Sequence, residues 1–140
     1  MKKIGMTLAI ILFIATSALA LTQDQAVSVV REVLSDAGYE CLVSLKDHDK
    51  NGIPDFGIVY VSGNSSQTVA HLLGSIGGAV GVVTKDSSWK SDKILVVMGE
   101  DTGWVATTAG MRRCLRLQES KKSSEIVGAC LMSEWTKVEY

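Results

Sequence analysis

The stretch from residue 47 to residue 55, DHDKNGIPD, combines residue types and a spacing that suit cation binding. Calcium takes about six to eight oxygen ligands, which come from carboxylates, carbonyl groups and water. A loop supplies them compactly when every second residue offers an oxygen and a glycine, here Gly52, stands at the sharp turn. The predicted calcium ligands are the side chains of Asp47, Asp49, Asn51 and Asp55 and the carbonyl oxygen of Ile53.

These residues resemble the calcium loops of EF-hand-like modules, namely dockerins, thrombospondin type 3 repeats and integrin-type FG-GAP repeats. The ending NGIPDF, followed by a strand-like run, looks most like the FG-GAP kind, which lies in a β-hairpin. The resemblance covers only residues 47–58 and implies a structural site. The EF-hand pattern ends with a bidentate acid at its twelfth position, where this chain has Ile58. About five protein ligands imply weak binding, with a dissociation constant of roughly 10⁻⁴ to 10⁻³ M.

A metal-free hairpin turn is the alternative interpretation of the same stretch. Asp and Asn side chains form local turns, Gly52 allows positive φ, and Pro54 fixes φ without any ion. Three carboxylates in one turn repel each other, however, and only Lys46 and Lys50 are close in sequence. The repulsion favours the cation site.

The first 20 residues have the layout of a secretory signal peptide. Lys2 and Lys3 precede an apolar run, and Ala18-Leu19-Ala20 forms a small-x-small cleavage site. We therefore predict a signal peptide at residues 1–20 and a single secreted or extracytoplasmic domain at residues 21–140. The alternative is an uncleaved membrane anchor at residues 4–21, because this stretch is near the lower length limit for crossing a bilayer.

The composition of residues 21–140 limits the classes of partner. Twelve basic and fifteen acidic residues give a net charge of −3, which offers no electrostatic basis for binding nucleic acid. Of the three cysteines, Cys114 and Cys130 fall in adjacent predicted helices and are the candidate disulfide in an oxidising compartment. Three buried thiols that pack as small apolar groups are the alternative.

Hydrophobic periodicity predicts a single two-layer α+β domain, an antiparallel sheet with helices on one face. Apolar residues recur at helical spacing from residue 22 to about residue 37, and two strands then flank the acidic loop. A second helix follows, and AVGVVTK at residues 79–85 is predicted to begin the first of three further strands. One or two C-terminal helices complete the order α-β-β-α-β-β-β-α(α). This order resembles the Roadblock/dynein-light-chain family of dimerisation modules, a likeness of topology alone that names a homodimer as one candidate assembly.

The predicted function is a non-enzymatic binding or assembly domain for a protein or surface partner. The triplet Asp101-Thr102-Gly103 also occurs in aspartic proteases, but a hairpin turn accounts for it here. Neither a nucleophile elbow nor a zinc-ligand spacing is present. A small extracytoplasmic hydrolase with dispersed catalytic residues remains the alternative from another functional class.

Overall fold

A computed structural model describes residues 21–63 and 68–139. The predicted signal peptide therefore lies outside the described residues. The helices are α1 (Gln23–Asp36), α2 (Val69–Thr84), α3 (Thr108–Glu119) and α4 (Ser124–Ser133). The strands are β1 (Tyr39–Lys46), β2 (Asp55–Gly63), β3 (Lys93–Met98), β4 (Thr102–Thr107) and β5 (Thr136–Glu139).

The five strands form one sheet in the order β1-β2-β3-β4-β5. Neighbouring strands are antiparallel at β1–β2, β3–β4 and β4–β5. A loop connects the first pair, a turn connects the second, and α3 and α4 connect β4 to β5. The pair β2–β3 is parallel, because α2 carries the chain back to the end of the sheet at which β2 began. The hairpin tip and the start of β3 therefore lie at the same end of the sheet.

The core lies between one face of the sheet and the helices. Alternate strand residues point to opposite faces, and those on the core face are buried, including Cys41, Phe56, Ile58, Ile94, Val96 and Ala106. All four helices contribute buried residues to the same cluster. The predicted class, a single α+β domain, is confirmed.

The first turn of α1 is stabilised by a capping box, a local sequence feature. Thr22 caps α1 by accepting a hydrogen bond from the Gln25 backbone N–H at 3.2 Å, and the Gln25 side chain accepts one from the Thr22 N–H at 2.9 Å. This reciprocal pair satisfies two N–H groups that the first helical turn leaves without partners. The buried side of α1 then packs beside β1.

The strand predicted at residues 79–85 is wrong, because α2 continues through these residues to Thr84. When nearly every residue of a run is apolar, the spacing of its apolar residues does not distinguish a buried strand from a buried helix. The glycines of α2 serve close packing: a Cβ at Gly77 would lie 2.5 Å from the Met111 Sδ, and one at Gly81 would lie 2.6 Å from the Leu115 Cδ1.

Two further details of the predicted topology are corrected. The sheet is mixed rather than wholly antiparallel, since β2 and β3 run in the same direction. The described order is α-β-β-α-β-β-α-α-β, with two strands instead of three after α2 and a last strand, β5, after the helices. Four residues are too few to establish a strand pattern, and β5 depends on its pairing with β4.

The disulfide joins Cys114 of α3 to Cys130 of α4, with Cα atoms 5.6 Å apart. Cys41 is free and buried on β1. Burial, followed by the charge of Glu40, raises the pKa of the Cys41 thiol to about 11. Within the described ranges, no helix has the length and apolar character needed to cross a membrane.

Candidate metal site

The acidic loop is the turn of the β1–β2 hairpin. Lys46 at the end of β1 pairs with Asp55 at the start of β2, and residues 47–54 connect them. Lys50 and Gly52 adopt φ values of 59° and 88°. Glycine favours this left-handed region, whereas a lysine there carries a conformational cost. These two residues turn the loop sharply back on itself.

Asp47 organises the first half of the loop through its side chain. Its Oδ1 accepts a hydrogen bond from the Asn51 N–H at 3.1 Å, and its Oδ2 accepts one from the Gly52 N–H at 2.7 Å. The carboxylate is exposed to solvent. These side-chain-to-backbone hydrogen bonds join residues four and five positions apart. They fold the loop around the Asp47 carboxylate.

Asp55 is the buried acid of the group, with 0% of its surface exposed. Its Oδ2 accepts a hydrogen bond from the His48 N–H at 3.1 Å, and its Oδ1 accepts one from the Lys93 N–H at 3.0 Å. A buried carboxylate needs such donors to offset its lost hydration. Asp55 therefore links the hairpin tip to the start of β3.

Lys93 supplies a cation to this site from a distant part of the chain. Its Nζ lies 2.5 Å from the Asp49 Oδ2 and 3.8 Å from the Asp92 Oδ2. The hydrogen bond from Lys93 is the main reason that the pKa of Asp49 is lowered, and the same bond raises the pKa of Lys93. Both side chains are solvent-accessible, so a competing cation can reach the carboxylate.

Asn51 connects the loop to Asp92, which precedes β3. The Asn51 Nδ2 donates to the Asp92 Oδ2 at 2.7 Å, and a longer bond of 3.4 Å leads to the Asp49 Oδ2. The Asn51 Oδ1 accepts from the Ile53 N–H at 2.9 Å. Asp92 also donates its own backbone N–H to the Pro54 carbonyl at 3.0 Å. The segment before β3 thus forms one wall of the site.

The structure brings three of the predicted ligands together. Carboxylate oxygens of Asp47, Asp49 and Asp55 lie within 4.8 Å of one another, so the cluster could hold a metal ion. Oxygens on opposite sides of a calcium ion are about 4.6–5.2 Å apart, because each bond is about 2.3–2.6 Å long. Asn51 turns its Nδ2 towards Asp49, and its Oδ1 accepts from the Ile53 N–H. The predicted oxygens of Asn51 and Ile53 are therefore not shown to face the three carboxylates.

Two residues of the site, Asp92 and Lys93, were missed from the sequence. They lie about 40 residues from the loop, in the connection DSSWKSDK, and only the parallel pairing of β2 with β3 brings them to the hairpin tip. Their type alone gave no signal, because acidic and basic residues are common in turns. The only indication in the sequence would have been the position of this charged pair at the start of β3, the strand that pairs with β2.

The predicted likeness to calcium loops concerns the hairpin tip alone, and residues of the neighbouring sheet and of the segment before β3 also contact this tip. Asp55 and Lys93 bridge neighbouring strands, and Asn51 bridges to the preceding loop. Searches with the whole chain found no matching protein-family model, no matching curated protein and no matching solved structure.

Proposed function

We propose that this protein is a small, secreted or extracytoplasmic, non-enzymatic binding or assembly domain whose β1–β2 hairpin carries a weak structural calcium site. The observation that supports the site is the approach of the Asp47, Asp49 and Asp55 carboxylates to within 4.8 Å. The ligands are Asp47, Asp49, Asn51, Asp55 and the carbonyl group of Ile53, with water completing the shell. A protein or surface is the partner class of the domain.

Calcium suits this group of ligands better than the other common cations do. All the side-chain donors are oxygens, which hard cations prefer, and no thiolate or imidazole is needed. The loop is solvent-accessible at Asp47, Asp49 and Asn51, so water can supply the remaining ligands. Magnesium demands smaller, near-octahedral geometry and gives up its water reluctantly. We therefore expect magnesium to substitute poorly.

The proposed role of the ion is structural. The loop joins β1 to β2, and its Asp55 and Asn51 already reach the residues that precede and begin β3. A cation held by Asp47, Asp49 and Asp55 would cancel their mutual repulsion and fix the tip against this neighbouring segment. The result would be a stiffened end of the sheet on which a partner could dock.

The first test is a thermal melt of the purified protein in EDTA and in about 5 mM calcium, at matched ionic strength. A site with a dissociation constant of about 0.5 mM would then stabilise the folded state by roughly 1.4 kcal/mol. For a domain of this size that corresponds to a rise in Tm of about 5 °C. An equal rise with magnesium would indicate general screening of charge and would contradict a calcium site.

A pair of variants makes this test specific to the loop. Asp49→Asn keeps the side-chain shape but removes a ligand charge, so the calcium-dependent rise in Tm should disappear. Asp101→Asn is the matched control, because Asp101 is an exposed carboxylate in the β3–β4 turn at the opposite end of the sheet. If Asp49→Asn responds to calcium as the unaltered protein does, the ion binds elsewhere.

Lys93→Met should strengthen calcium binding, because the Lys93 ammonium competes for Asp49 at 2.5 Å. Two unit charges about 4 Å apart in water alter a binding constant roughly fivefold, and we expect an increase in calcium affinity of that order by calorimetric titration. Lys50→Met removes the same charge from the loop, yet within the described residues Lys50 has no carboxylate within ion-pair distance. Equal effects of the two variants would mean that Lys93 does not compete for the site.

A further inference from the structure

The sheet has a second face, opposite the core, that is largely apolar. It consists of the strand residues whose side chains alternate with the buried ones, and we call it the open face. The register aligns Leu42 with Val59, Val59 with Val97, and Leu95 with Val105. Val138 of β5 continues the row beyond Gly103 of β4. The apolar row therefore crosses all five strands.

The open face differs from the usual solvent side of such a sheet. An antiparallel sheet with one solvated face normally alternates apolar residues inward with polar residues outward. Here the outward residues Leu42, Val59 and Val61 are 63%, 41% and 51% exposed. A contiguous exposed apolar patch of this kind marks an interaction surface. The His48 ring, which lies over Gly57, bounds the patch at the hairpin-tip end.

The charges at the two ends of the open face complement each other. The outward side chains of β1 are, in order, Glu40, Leu42, Ser44 and Lys46, so an acid stands at one end and a base at the other. Reversing the strand places Glu40 opposite Lys46 of a second, identical strand. A copy of the same chain, turned end over end, therefore matches the apolar row with itself and sets Glu40 of one β1 strand against Lys46 of the other.

We propose that the open face is the interface of a two-fold symmetric homodimer, in which two sheets pack face to face with β1 strands in opposite directions. In such an isologous contact each patch meets itself, and Leu42, Val59 and Val97 of the two copies form a shared apolar layer. Face-to-face sheets pack about 10 Å apart with their strands within about 30° of each other. This inference goes beyond the calcium site and does not depend on it.

The size of the open face predicts the strength of the dimer. Five strands spaced by about 4.8 Å, over roughly 17 Å of strand length clear of the hairpin tip, give a flat area of about 400 Å² per copy. Standard stable interfaces bury about 800 Å² of accessible surface per partner, and smaller ones belong to transient complexes. We therefore expect a dissociation constant of roughly tens to hundreds of micromolar, the range of transient complexes.

Sedimentation equilibrium tests the dimer directly. The chain is expressed in full, purified with the N-terminus that processing leaves, and studied from about 10 to 500 μM in EDTA, so that divalent ions take no part. The average mass should rise towards twice that of the monomer. Val59→Lys should abolish this rise, whereas Val69→Lys should leave it unchanged, because Val69 begins α2 and is exposed to the same extent, 42% against 41%. A monomer at every concentration would overturn the proposal.

A charge exchange tests the orientation. Glu40→Lys and Lys46→Glu should each weaken the dimer several-fold, and the double variant should restore it, because the exchanged charges meet only across the two copies. Residues 40 and 46 are about 20 Å apart along one strand, so they cannot compensate within a copy. Absence of restoration would exclude the reversed arrangement. Restoration combined with an unaffected Val59→Lys dimer would place the contact at the β1 edge and would overturn the face-to-face arrangement.

Discussion

Replacing Asp55 by alanine should lower the free energy of unfolding by about 2–3 kcal/mol in the absence of calcium. The side chain is fully buried and accepts two backbone hydrogen bonds, from His48 and Lys93. Alanine would leave both N–H groups without their acceptor. Because both bonds are only partly buried, each loss should cost close to the lower end of the roughly 1–3 kcal/mol of an unsatisfied buried donor. Urea denaturation in EDTA, monitored by tryptophan fluorescence, measures the loss without any contribution from the ion.

Asp47→Ala is the matched control for this variant. Asp47 also accepts two backbone N–H bonds, from Asn51 and Gly52, but its side chain is exposed. Water can replace the lost acceptor there, so we expect a loss of less than about 1 kcal/mol. Both variants should lose the response to calcium. Equal losses of stability in EDTA would mean that the burial of Asp55 does not hold the hairpin tip to β3.

Removing the disulfide with the double substitution Cys114→Ala and Cys130→Ala should cost about 3 kcal/mol. The bond closes a loop with a sequence separation of 16, and a cross-link of this length reduces the entropy of the unfolded chain by about that amount. The link also joins α3 to α4, which both pack against α2. Urea denaturation of the oxidised protein and of the double variant gives the difference.

A thiol count checks the pairing on which this prediction depends. Cys41 is buried, and its raised pKa, about 11, leaves little thiolate at neutral pH. The native protein should therefore react negligibly with a thiol reagent, and one thiol per chain should appear on unfolding without reductant. Three thiols would contradict the disulfide. Cys41→Ala is the control, since it should reduce the count to none and leave the disulfide loop closed.

The sequence by itself determined the elements whose physical cause is local. The alternation of β2, DFGIVYVSG, predicted a strand over the residues that the structure assigns to it, Asp55–Gly63, because a strand with one buried face must repeat every two residues. Thr22 and Asp24 are both candidate caps of α1 by residue type, and the structure uses Thr22 through hydrogen bonds within four residues. The acidic loop was located because its ligand spacing is contained in nine consecutive residues.

The tertiary structure decided everything that depends on distant pairing. Residues 79–85 are apolar enough for either a buried strand or a buried helix. In the structure they belong to α2, whose Gly77 and Gly81 lie close to side chains of α3 and α4. The short β5 forms because β4 offers it a free edge. In both cases the deciding energy comes from contacts with residues far along the chain, which a local pattern does not contain.

The hairpin tip shows the same division within a single site. The sequence supplied Asp47, Asp49 and Asp55 as candidate ligands, because their order and spacing are local properties. Only the parallel pairing of β2 with β3 placed Lys93 beside Asp49 and buried Asp55 beneath the loop. Burial and charge pairing are properties of the assembled sheet. The sequence therefore determined which groups could bind a cation, and the tertiary structure decided which internal cation competes with it.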